Sequence, residues 1–169
     1  MTTAELLLED FDFEMAGVRR TLERIPEDIP DYKPHEKSMA VGRLAMHVAT
    51  LPLFAKYVIT EPGMDMANSH LPHADLTFRT RDIAVATFDS AANEARKALA
   101  AASDEDLAAI WKFSFGEHVI SADPRSLTYR KMFFNHIVHH RAQLGVYLRL
   151  NDLPVPGLYG PSADEPFKP

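Results

Sequence analysis

The sequence predicts an all-α fold: a four-helix bundle, with a short irregular or hairpin insertion before the last long helix. Three observations carry this. Four long stretches repeat apolar residues at steps of three and four, which places them on one face of a helix. No stretch offers a convincing sheet, and no internal repeat is present. The chain has 169 residues, 46% of them hydrophobic, which suits a single globular domain spanning 1–169.

The first helix is read from Ala4 to Ile25. Ala4, Leu8, Phe11, Met15, Val18, Leu22 and Ile25 recur at alternating steps of four and three, and Pro26 closes the run. Glu27 to Glu36 holds Pro30 and Pro34 among polar residues and reads as an irregular connection. Ser38 is a candidate cap for a second helix running to about Thr60, with Ala40, Leu44, His47, Val48, Leu51, Ala55 and Val58 along one stripe. Pro52 interrupts its hydrogen bonding and is expected to bend it one turn beyond His47.

Glu61 to Leu76 has no period and reads as a loop, with His70 and His73 solvated and without a role. A third helix from about Thr80 to Ala102 uses the narrow stripe Ala84, Phe88, Ala91, Ala95 and Leu99 for close packing. Ser103-Asp104-Glu105-Asp106 is a start signal for a short helix. Trp111-Lys112-Phe113-Ser114-Phe115-Gly116 alternates, as a hairpin or an extended loop does. Its aromatic residues could line a substrate mouth or plug the end of the bundle. The last helix runs from Ser126 or Leu127 to Leu150, before a proline-containing tail from Pro154 to Pro169. Phe134 and Val138 form a second apolar strip on it, suited to a fifth element or a partner subunit.

Composition narrows the partners. The net charge is −6 and the basic residues are scattered, which leaves no footprint for nucleic acid or an anionic membrane surface. No apolar run is long enough for a bilayer and the N-terminus lacks the basic start of a secretory signal, so a cytoplasmic protein is expected. With no cysteine, the chain has no thiolate ligand or cysteine nucleophile, and any thiol chemistry needs a thiol from outside.

Chemistry concentrates in Asn135-His136-Ile137-Val138-His139-His140-Arg141. On a helix, His136 and His140 stand one turn apart and about 40° apart around the axis. Tyr129, Tyr147, Phe133 and Leu144 fall on the same side of His136 as His140 does, and together they span an apolar arc that encloses it. His139 falls on the opposite side, toward the flank that carries Asn135 and Ala142. With His47, on the face that a neighbouring helix covers, this gives three inward imidazoles. That count suits a divalent ion such as zinc, nickel or iron with one position open for water or substrate. One histidine on an apolar face is more often a hydrogen-bonded core residue, but three on two helices repel one another if protonated, and a metal uses their neutral form. Ile137 stands where the zincin motif carries its glutamate, so this is not a metalloprotease signature. Gln143 and Asn135 could hold the second ring nitrogen of a ligand, and Arg141 reads as half of a structural ion pair.

Leu44-Ala45-Met46-His47, the segment from Asn135 to Leu144 and the ending Pro154-Val155-Pro156-Gly157-Leu158-Tyr159-Gly160-Pro161-Ser162-Ala163-Asp164-Glu165 together resemble the DinB/YfiT-like family. Ala142 departs from the glycine that many members carry after the arginine. The resemblance implies a four-helix bundle, often a homodimer, with a divalent metal ion held by His47, His136 and His140. It also implies a small-molecule substrate, with members acting as thiol-dependent transferases or isomerases using bacillithiol, mycothiol or glutathione, or as metal-dependent hydrolases. Two further readings stand beside this one: a non-catalytic metal or small-molecule binding bundle in stress response, and a dimerising bundle whose histidines are core residues.

Overall fold

The computed structural model describes residues 1–167. The first helix, α1 (Thr3–Leu22), begins in a capping box in which Thr2 and Glu5 satisfy each other's backbone N–H groups. Leu7, Phe11, Met15, Val18 and Leu22 form its buried stripe. The second, α2 (Val41–Thr60), starts three residues after Ser38 and has no side-chain cap. It does not need one there, because its first N–H groups reach back to the preceding connection: Val41 donates to Tyr32 O and Gly42 to Pro30 O, each at 2.9 Å. The helix continues through Pro52 to Thr60. Thr80 caps α3 (Arg81–Ala101), and all five residues of its expected stripe are buried, chiefly against α2 and then α1. A short α4 (Asp104–Ala108) follows its own capping box between Ser103 and Asp106.

The all-α four-helix bundle is not what the chain forms. Three strands, β1 (Gly63–Asp65), β2 (Ile110–Phe115) and β3 (His118–Pro124), make a mixed sheet in the order β1-β2-β3, so the fold is mixed α/β. The antiparallel pair β2–β3 is a hairpin turning at Gly116, whose φ of 59° suits glycine. It is more than an insertion, because β1 joins it in parallel, with Gly63 opposite Lys112 and Asp65 opposite Ser114. The reason lies in the backbone. A Cβ on Gly63 would sit 2.8 Å from Lys112 O, so the absent side chain is what lets the two strands approach. Asp65 then fastens the junction, its carboxylate accepting from Gly116 N at 2.7 Å and from Ala67 N at 3.0 Å. Gly63→Ala is expected to cost about 1–3 kcal/mol by forcing these strands apart, read as a lower denaturant midpoint.

Trp111 shows what the hairpin contributes. It is fully buried, its Nε1–H donates to Glu61 O at 3.0 Å, and its ring stacks on Phe113 and meets Phe54 edge-on. Trp111 and Phe113 are therefore core, and Phe115 is an exposed surface residue.

The last helical stretch has three consecutive parts: α5 (Arg125–Thr128), a π-helical segment (Tyr129–Phe134) and α6 (Asn135–Leu150). Tyr129, Phe133, Ile137 and Arg141 are all buried at steps of four. In a uniform α-helix that spacing drifts about 40° per step. The wider turn, seen in Asn135 N–H donating five residues back to Arg130 O, takes up part of the drift and keeps these residues on one face. Arg125 anchors the start of this stretch to the end of α2, its guanidinium donating to the carbonyls of Val58, Ile59 and Glu61.

Candidate metal centre

His47 lies in the middle of α2 between the buried Leu44, Val48 and Leu51, and His136 and His140 lie on α6 around the buried Ile137 and Leu144. Core packing on both sides of each histidine fixes the two helix axes and therefore the rings. The three imidazoles converge: their centroids are 4.6 Å apart for His136 and His140, 4.7 Å for His47 and His140, and 5.1 Å for His47 and His136. One nitrogen from each lies within 4.8 Å of the other two, and none of the three residues is exposed. His139 is exposed and stays outside the group, although its ring touches that of His140 at 4.9 Å.

The outer nitrogens are tied down. His136 Nδ1 is 3.2 Å from Met132 O, a carbonyl of the π-helical segment, and His140 Nδ1 is 2.7 Å from Gln143 Oε1. Both partners are acceptors, so both Nδ1 atoms carry the proton and both Nε2 atoms present a lone pair to the centre, as orienting partners do for ligand histidines. Gln143 thus makes the contact expected of it. Asn135 does not, and the carbonyl that replaces it has no sequence signature. His47 Nε2 is 3.3 Å from His136 Nε2. Two nitrogens bound at about 2.0–2.1 Å to one tetrahedral ion stand about 3.3–3.4 Å apart, so the spacing of this pair is that of two ligands of one ion.

Electrostatics favour the same state. Burial, then the neighbouring His140 and His136, push the His47 imidazole down to about 4. Burial also lowers His136 and His140, against the raising effect of their acceptors. The site is a set of neutral nitrogen donors. No aspartate or glutamate joins the three among the described residues, which leaves a fourth position for an exogenous ligand.

A hollow of about 240 Å³ opens beside His47, between the C-terminal half of α2 and the segment from Met64 to Ala74. Met64, Met66 and His73 reach it from a stretch that has no period and whose histidines the sequence predicts to be solvated. Arg141 lies elsewhere, buried against Glu14 and Tyr159, as the ion-pair reading anticipates.

Comparison with known proteins agrees with this architecture. Three solved structures are similar over most of their length. A DinB-like protein from Bacillus cereus ATCC 10987 shares 20% identity with a TM-score of 0.65, covering 90% of this chain and 95% of its own. A DinB-like protein from Bacillus subtilis shares 18% at 0.66, covering 90% and 97%. A DinB family protein from Exiguobacterium sibiricum 255-15 shares 20% at 0.64, covering 93% and 97%. At these identities the likeness shows the fold. No curated protein matches the chain. The sequence profile of the DinB family matches residues 1–167, and the chain belongs to the DinB family.

Proposed function

We propose that the protein is a metal-dependent enzyme that activates a low-molecular-weight thiol, or water, for transfer to a small molecule or for hydrolysis of one. The observation that supports this most is the convergence of three neutral imidazole donors, with no fourth protein ligand among the described residues, beside an open hollow. A divalent ion held by His47, His136 and His140 supplies Lewis acidity, lowering the pKa of a bound thiol or water until a nucleophile exists near neutral pH.

The chain's own residues prepare that chemistry. Met132 O and Gln143 hold the outer ring protons of His136 and His140, which keeps both rings aimed and in the right tautomer. The largely apolar hollow beside His47 offers the second reactant a surface next to the ion's open position. The chain has no cysteine, so a thiol must come from solution.

The test uses protein purified without a histidine tag and loaded in turn with Zn²⁺, Ni²⁺ and Fe²⁺. It is offered glutathione or bacillithiol with 1-chloro-2,4-dinitrobenzene, and separately an activated ester in water. Turnover that requires the ion and is lost in His47→Ala is expected. An ion bound stoichiometrically with no turnover in either assay supports a binding role instead, and no ion bound at all overturns the proposal.

A further inference from the structure

The hollow beside His47 has a chemistry of its own. Its wall follows one stripe of α2, from His47 through Thr50 and Phe54 to Tyr57, and is completed by Met64, Met66 and Leu71 across from it. No aspartate, glutamate, lysine or arginine lines it. The Thr50 hydroxyl spends its proton on the carbonyls of Met46 and His47, at 2.9 and 3.2 Å, so it offers an incoming molecule lone pairs only. In the metal-free protein a carboxylate or phosphate set against this wall would exchange water for apolar surface with no lysine or arginine to receive it, which disfavours a charged guest. Apolar surface would be welcomed, and the two methionines can adapt to irregular shapes.

Size narrows the class further. An engineered apolar cavity of about 150 Å³ takes up benzene. At about 240 Å³ this hollow has room for a bicyclic aromatic or a branched alkyl group of similar bulk. We infer that it binds an uncharged, predominantly apolar small molecule of that size, whose reactive end lies toward His47. The inference deepens the proposed function by naming its second substrate class, and the part concerning reaction rests on that reading. Binding itself does not need the ion.

The probe is indole, with indole-3-carboxylate as its charged counterpart, followed through the methionine methyl signals in NMR. The titration is run on EDTA-stripped wild-type protein, His136→Ala and Met66→Glu. Met66 is half exposed, so a glutamate there is compatible with folding and puts a carboxylate at the hollow's edge. Expected are saturable shifts of Met64 and Met66 with indole in the wild type and in His136→Ala. Binding should be at least tenfold weaker for indole-3-carboxylate, and indole should bind Met66→Glu at least tenfold more weakly. Absence of saturation, equal binding of the carboxylate, or an unaffected Met66→Glu overturns the inference. Failure of metal uptake with indole binding intact counts against the proposed function and leaves this inference standing, while metal uptake without indole binding does the reverse.

Discussion

Arg141→Ala is expected to destabilise the fold by about 3–5 kcal/mol, the loss that follows when one partner of a buried ion pair is removed. The Arg141 side chain is 2% exposed and that of Glu14 is 9% exposed, and the two are joined directly at 2.5 Å. Tyr159 Oη lies 2.8 Å from Glu14 Oε1 and also accepts from Arg141, so the pair links α1, α6 and the C-terminal tail. Alanine leaves the buried Glu14 carboxylate with only a tyrosine hydroxyl to answer it. The double variant Glu14→Leu with Arg141→Met removes both charges, and it should regain most of the loss because the pair's attraction mainly offsets its own desolvation. Urea unfolding of the three proteins reads this. A single variant losing less than about 1 kcal/mol would show the pair to be solvated. The exposed pair of Arg96 with Asp12 has similar geometry at 2.7 Å, yet its removal should change the midpoint little, because water already screens it.

The contrast between these pairs marks what was legible in the sequence. Periodicity found the stripes of α1, α2, α3 and the last helix, because each is set by residues three or four apart whose burial follows from local geometry. The convergence of His47, His136 and His140 was legible for the same reason, since all three sit on faces that a wheel can assign. The errors fall where structure depends on distant partners. Gly63–Asp65 is too short to carry a period and becomes a strand only because Lys112–Ser114 lies beside it, which is why the sequence predicts an all-α bundle and a mixed sheet forms. The π-helical turn left its trace in the four-residue spacing of Tyr129, Phe133 and Ile137, which a wheel of constant pitch treats as drift. Met64, Met66 and His73 carried no signal at all, because a loop's contribution to a wall is decided by where its ends are fastened, here at Asp65 and Thr80.

Metal binding should stabilise the protein by an amount that the ion concentration sets. For a site absent from the unfolded chain, the gain is about 2.7 kcal/mol at one hundred times Kd and about 4.1 kcal/mol at one thousand times. Thermal melts of EDTA-stripped protein with increasing Zn²⁺ are expected to show this rise, with reversal by excess EDTA and almost none of it in His136→Ala. Acid limits the effect from the side of the imidazoles. Folding holds His47 down to about 4, from 6.5 in the unfolded chain, so between those values the unfolded state binds the extra proton. The stability linked to His47 in the metal-free protein is therefore complete above about pH 6.5 and is lost as pH falls through about 4. His47→Ala should flatten that acid limb. Because the fold already keeps the donors unprotonated, Zn²⁺ has fewer protons to displace than it would from three exposed imidazoles, and half-maximal uptake should lie below pH 6.5. Uptake that disappears by about pH 6.5 would mean that the rings titrate as solvent-exposed groups, and the preorganisation read from Met132 O and Gln143 would then have no consequence for the ion.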